Sequence, residues 1–307
     1  MIKIKFSEFY NINKEQKDLN FVDINLLEDL ELFIDPYVFA KLKGEFASKC
    51  NNAIINFFNE VITLIRSGDK LNAIRILNGL KEPSETHLGL ARHSINGNAV
   101  TGKKALKLYT KLSKSNAVKT GNLKDLSDCE LMIKGIGKDN ISDITTNIIR
   151  EYLIEFTEEQ CKLYDIPMVI FKNNIWDKHE KKWVKKEYKL PCVNGKKVIL
   201  VPKSIVTDKL ILSYENFYNN EILEYYKIRE INACTSIVIV LKGGEKTVRK
   251  KDLKKKYPKS KEFVFNFVNN NPQYLELYKE RKKILNNIDA DEIILKAHEK
   301  KHKLNCN

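Results

Sequence analysis

The stretch that decides the fold runs from Cys129 to Phe171, CELMIKGIGKDNISDITTNIIREYLIEFTEEQCKLYDIPMVIF. Glu130 to Lys134 reads as a buried strand. Gly135-Ile-Gly137-Lys-Asp139-Asn140 carries turn chemistry, and Ile141 to Asp143 reads as a second short extended piece. A long helix is expected from about Ile144 to Tyr164. Asp165-Ile-Pro167 stops it, and Met168 to Phe171 is a further strand. The order strand, turn, strand, helix, strand marks this region as the catalytic core.

Upstream, Leu32-Phe33-Ile34-Asp35 reads as a short strand ended by Pro36, which disfavours helix at the residue before it. From Tyr37 to Leu80 the pattern is helical, because Ile54, Phe57, Phe58, Val61, Ile62 and Ile65 follow the i, i+3, i+4 rule. Gly102 to Ser113 is expected to be a lysine-rich helix. Downstream, Trp183 to Leu190 and Lys197 to Val201 flank Asn194-Gly195, the strongest short hairpin signal. Asn216 to Tyr226 reads as helix, and Cys234 to Leu241 as a strand-like or buried run ended by Gly243-Gly244. The last 45 residues read as mostly helical and highly charged.

The expected fold class is α/β or α+β, a mixed sheet flanked by helices. Three parts are expected: a mostly helical N-terminal part (1–125), a central core (126–210), and a basic, mostly helical C-terminal part (211–307).

The chain has 307 residues, 43% apolar and 31% charged, enough to bury a core. Its net charge of +14 disfavours a basic substrate and favours a polyanionic partner, nucleic acid or an acidic membrane surface. No apolar run reaches the roughly 18 residues of a membrane span. The N-terminus lacks the apolar region of a signal peptide. Cys50, Cys129, Cys161, Cys192, Cys234 and Cys306 form no CxxC pair, so they read as reduced thiols, mostly in the core, of a cytoplasmic protein. The heavy use of Lys, Ile and Asn resembles low-GC bacterial coding.

Ile149, Leu153 and Phe156 form an inward stripe that continues, by steps of four, onto Gln160 and Tyr164. Polar residues at inward positions need polar partners; a solvated helix end is the alternative. Of the histidines (His87, His93, His179, His298, His302), only His298 and His302 stand at i, i+4, on a lysine-rich helix that reads as solvated. Gly135-Ile-Gly137 lacks the third glycine of a dinucleotide fingerprint, and no P-loop or Gly-x-Ser-x-Gly elbow is present. Between Lys242 and Glu262 ten Lys/Arg stand against three acids. Within that stretch Lys250, Lys251, Lys254, Lys255 and Lys256 are the candidate phosphate contacts.

The Gln160-Cys-Lys-Leu-Tyr164 pattern, Q-x-x-x-Y, resembles the helix motif of RecB-type nucleases of the PD-(D/E)XK superfamily. The resemblance covers Cys129 to Phe171. It implies a restriction-endonuclease-like core and Mg²⁺- or Mn²⁺-dependent hydrolysis of nucleic acid, DNA before RNA. It also implies a bacterial anti-phage or restriction setting; any unwinding would fall to a separate ATPase or helicase subunit. Asp143, 17 residues before Gln160, takes the place of the strand carboxylate. The family's carboxylate-x-lysine reads here Asp143-Ile144-Thr145, and threonine cannot stabilise developing negative charge as lysine does. Lys203 or Lys134 would have to supply the amine. Asp143, Gln160, Tyr164 and Lys203 are thus the expected catalytic residues. Glu85, Asp139 and Asp143 are the expected ligands, since Mg²⁺ takes hard oxygen donors. Ordinary roles compete: Asp143 as a helix N-cap, Asp139 and Asp35 as turn residues, Glu85 as a cap after Pro83. A non-catalytic nucleic-acid-binding or scaffold subunit, or an RNase toxin, are the alternative functions.

Overall fold

The structure, a computed structural model, describes residues 4–90, 101–284 and 289–305, with side chains described for 4–90, 102–283 and 289–300. In chain order the helices are α1 (Phe6–Phe9), α2 (Pro36–Phe39), α3 (Glu45–Arg66), α4 (Lys70–Leu77), α5 (Thr101–Lys114), α6 (Asn116–Thr120), α7 (Asp128–Met132), α8 (Lys138–Ile148), α9 (Arg150–Leu163), α10 (Tyr214–Phe217), α11 (Leu223–Asn232), α12 (Lys250–Lys256), α13 (Lys261–Asn270), α14 (Pro272–Ile284) and α15 (Ala290–Asn305). The strands are β1 (Phe33–Ile34), β2 (Met168–Asp177), β3 (Lys182–Val193), β4 (Lys196–Lys197), β5 (Val206–Thr207), β6 (Val238–Val240) and β7 (Lys246–Val248). The chain is therefore of mixed helix and sheet, with small antiparallel sheets β1–β5, β2–β3–β4 and β6–β7 flanked by helices. Among the described residues no helix is long and apolar enough to cross a membrane.

Local chemistry explains these elements. The stripe expected on α3 is buried: Ile54, Phe57, Phe58, Val61, Ile62 and Ile65 all lie in the core. Asp69 caps α4 by accepting from the Asn72 amide at 3.1 Å. The β2–β3 ribbon pairs from Met168↔Pro191 to Asp177↔Lys182. Its tight end is closed by Asp177, whose carboxylate accepts from the amides of His179 and Glu180. Trp176 and Trp183 meet edge to face on this ribbon and both pack on Phe57 of α3. Gly79 is required there, since a Cβ would overlap the Trp183 indole, whose N–H donates to the Ile76 carbonyl at 2.7 Å. Asn194 and Gly195 both have positive φ, 50° and 76°, the backbone a two-residue hairpin turn demands.

The decisive stretch folds differently from its expectation. Glu130 to Lys134 is not a strand; α7 occupies Asp128–Met132, and only Ile133 is extended. Ile141 to Asp143 lies inside α8, so Asp143 is neither at a strand end nor an N-cap. The reason is periodicity. Ile141, Ile144 and Ile148 are spaced three and four apart and are all buried, a helical stripe that outweighs the β-propensity of isoleucine. The single helix expected from Ile144 to Tyr164 is two, broken at Ile149. The order here is helix, helix, helix, strand.

The three expected parts share one continuous core that runs from Phe6 to Ala297. Polar contacts tie its ends together. Tyr37 donates its hydroxyl to the Lys279 carbonyl at 2.6 Å. Asp35, fully buried, caps α2 through the Tyr37 amide (2.8 Å) and accepts from the Ile211 amide (2.6 Å). Burial outweighs those two bonds and pushes its carboxyl up to about 6. Asp125 and Asp128 hold the ammonium of Lys279, on α14, at 2.7 and 2.6 Å. Burial opposes the charge on Lys279, but the two carboxylates outweigh it and keep the ammonium above its usual range.

Of the described cysteines, Cys50, Cys129 and Cys161 are buried, Cys192 is half-buried and Cys234 is exposed; all are free thiols. Cys306 and His93, like the side chain of His302, lie outside the described residues.

Candidate functional site

Asp139 and Asp143 stand one turn apart on α8, so both side chains lie on one face. That face borders a cleft of about 330 Å³. The opposite wall is α5, whose Lys104, Lys107 and Lys111 recur at steps of three and four and thus form one basic stripe. Lys81 and Glu82, from the loop after α4, close one side, and Gly135 and Asn140 the other. Three anions, Glu82, Asp139 and Asp143, therefore share one opening with four lysines.

The cleft is held by a few specific bonds. Asp139 accepts from the Leu90 amide at 3.3 Å. Lys104 pairs with Glu82 at 2.7 Å. Lys111 donates to the Gly135 carbonyl, and burial, then the charge of Lys107, lowers its ammonium from the usual value. Asn147, one turn beyond Asp143, donates to the Lys81 carbonyl at 2.6 Å and accepts from the Lys81 amide at 3.2 Å, fixing the loop against α8.

A second, interior charge cluster adjoins this end. The Asn147 side-chain oxygen also accepts from Arg150 at 2.9 Å. Arg150 forms a buried ion pair with Glu85, and Arg150 Nε is buried without a hydrogen-bond partner. Lys197 of β4 donates to Asn173 of β2. Burial, with the charges of Arg150 and Lys81 nearby, brings the Lys197 ammonium down to about 8.

Of the expected site residues, the cleft brings together Asp139 and Asp143 only. Glu85 is not with them; a buried guanidinium needs an anionic partner, and Arg150 takes Glu85 as its own. Among the described residues, no three or more His, Cys, Asp and Glu side chains converge as metal ligands. Gln160 is buried near the far end of α9, ten residues past Arg150, which is about 15 Å along a helix axis. Its Oε1 is buried and has no hydrogen-bond partner among the described residues. Tyr164 ends the same helix and packs edge-on against Phe21, ring centroids 6.2 Å apart. Thr157 fixes this end of α9 by accepting from the Leu200 amide at 2.9 Å.

Neither expected amine reaches the cleft. Lys203 pairs with Asp291 of α15 at 2.9 Å and donates to the Lys17 carbonyl at 2.8 Å. It lines a different cavity, of about 490 Å³, beside Lys41 and Lys282. Lys134 is exposed. The lysines that do face Asp143 come from α5 and from the loop at Lys81. The α5 lysines were legible, since their three-and-four spacing predicts a single basic face. Arg150 was not, because nothing in a sequence separates a buried arginine from a solvated one.

Lys250, Lys251, Lys254, Lys255 and Lys256 form a separate basic patch on α12, all exposed around the buried Leu253. Lys256 also pairs with Glu230 at 2.8 Å.

The family match spans the residues of the cleft but not α12. No curated protein and no solved structure matches the chain. Residues 11–213 match a family described as a domain of unknown function, DUF8370. The match spans α2 to β5, and so every residue of the cleft, and it covers well over half of the chain. The chain belongs to the DUF8370 family.

Proposed function

We propose that the protein binds nucleic acid and seats a backbone phosphate in the cleft between α5 and α8. The observation that carries this reading is the cluster of Lys81, Lys104, Lys107 and Lys111 around one opening of about 330 Å³. Lysines bind phosphate as mobile point charges and do not read sequence. The chain's net charge of +14 adds long-range attraction for a polyanion, and the α12 lysines form a second basic patch.

Asp139 and Asp143 favour a second reading, metal-dependent cleavage of that phosphodiester. Mg²⁺ or Mn²⁺ is held by one or two carboxylates plus waters and substrate phosphate, and two carboxylates on one helix face fit that requirement. The metal would activate water and neutralise charge at the phosphate. The residues of the chain would do the rest: Asp139 and Asp143 anchor the ion, and the α5 lysines orient the strand and stabilise the developing charge. Gln160 and Tyr164 take no part. An anti-phage setting and a separate ATPase partner rest on the resemblance alone.

Fluorescence anisotropy with a labelled duplex and a single strand, across a salt series, tests the first reading. The slope of log affinity against log salt should be about −0.9 per phosphate contact on duplex. Changing Lys104 and Lys107 to Glu should weaken binding by about tenfold or more, and unchanged affinity overturns the cleft as a phosphate seat. Incubation with plasmid, linear DNA and RNA in Mg²⁺ or Mn²⁺ tests the second. Cleavage by the native chain that Asp143→Asn abolishes supports it; no cleavage of any substrate leaves a binding protein.

A further inference from the structure

The β6–β7 ribbon lies outside the family match and projects two apolar side chains into solvent. Val240 is 65% and Leu241 46% exposed, although both flank a turn where polar residues would be normal. The tip is well defined. Leu241 donates its amide to the Glu245 carbonyl and Gly244 donates to the Leu241 carbonyl, both at 2.9 Å. Gly244 has φ +83°, as such a turn requires.

The base of the ribbon is fixed. Val248 is buried and Val238 packs on the core. Glu230, near the end of α11, accepts from Thr235 before the ribbon and from Lys256 and Tyr257 at the end of α12. These bonds, Lys256 first, hold its carboxyl down to about 2. One carboxylate thus ties the chain entering the ribbon to the end of α12. Lys242 stands at the tip, Lys246 opens the returning strand, Arg249 caps α12, and Lys250 and Lys254 continue along that helix; all five are exposed.

We propose that this ribbon is a duplex wedge: Val240 and Leu241 enter between base steps in the minor groove while the flanking lysines take the adjacent phosphates. Apolar side chains on a basic scaffold act in this way, partly unstacking one step and kinking the duplex. A two-stranded ribbon is narrow enough to follow a groove. An acidic lipid surface would also attract basic residues, but the tip from Val240 to Glu245 holds no Trp, Tyr or Phe, the side chains that settle at a membrane interface. The proposal rests on the reading of the protein as a nucleic-acid binder.

The test uses the full chain and a duplex of about 25 base pairs with a dye at each end, read by anisotropy for affinity and energy transfer for bending. The native chain should bind and kink the duplex by about 20–90°. The double variant Val240→Ser, Leu241→Ser changes only exposed side chains. It should bind within about threefold of native, because phosphate contacts dominate affinity, and lose the kink. Lys250→Glu with Lys254→Glu should lower affinity by about tenfold. A native complex without a kink, or a kink that survives the serine variant, overturns the wedge and leaves the binding reading standing. Failure of the native chain to bind duplex overturns the wedge, and failure to bind duplex and single strand alike overturns both. Binding to phosphatidylserine vesicles, in preference to duplex and lost in the serine variant, overturns the wedge in favour of a membrane contact.

Discussion

Two places in this molecule set paired aspartates against lysine, and they do opposite things. At α7, Asp125 and Asp128 close on Lys279; Asp128 is fully buried, and the lysine side chain is 10% exposed. At α8, Asp139 and Asp143 face four lysines across an open cleft. The closed set puts two acids on one buried lysine and ties α14 to the core. The open set keeps a surplus of positive charge in contact with water, where a diffusing anion can reach it. Residue type does not separate the two; burial does.

The largest expected effect breaks the closed set. Lys279→Met leaves Asp128 buried without its cation, and unfolding free energy by urea titration should fall by about 3–5 kcal/mol. Lys107→Met, in the open set, should cost less than about 0.5 kcal/mol while weakening nucleic-acid binding. Equal costs would mean that both sets are structural.

Acid–base linkage gives the next effect. The Asp35 carboxyl is raised from 3.8 to about 6 in the folded chain, so its stabilisation is complete below the unfolded value and is lost as pH rises through about 6. Between roughly pH 4 and 7 this one group should lower stability by about 2–2.5 kcal/mol. Asp35→Asn should flatten that part of the pH profile. An unchanged slope would show that Asp35 is ionised throughout.

Smaller still is the effect expected at Gln160. An unpartnered buried oxygen costs stability, so Gln160→Leu should raise unfolding free energy by about 1 kcal/mol and leave binding and any cleavage at native levels. A large loss of cleavage with unchanged stability would instead restore the Q-x-x-x-Y resemblance. Asp143→Asn should change stability by less than about 0.5 kcal/mol, since the residue sits half-exposed within α8.

The amphipathic stripe of α3, the Asn194-Gly195 turn, the strand ending at Asp35 and the basic α12 were all legible in the sequence, because each is a local pattern with a local cause. Cys129 to Ile149 was not. Its apolar runs are three residues or shorter, and at that length strand and helix look alike. Of the site, Asp139 and Asp143 were legible as a pair. Their lysine wall and the Arg150–Glu85 pair join residues far apart in the chain, and no spacing rule reaches that far. The Q-x-x-x-Y match falls on a helix end where Gln160 is buried and Tyr164 packs on Phe21.

The clasp between Asp128 and Lys279 also sets a timetable. The two residues are 151 positions apart, a gap of about 8–30 s at ordinary rates of chain synthesis. During that interval the nascent chain carries α7 with its acids unanswered, and the hydroxyl of Tyr37 without the carbonyl it will bind. Only when α14 leaves the ribosome can that clasp close. The C-terminal helices, which lie beyond the family match, thus carry the cation that the earlier-made acids wait for.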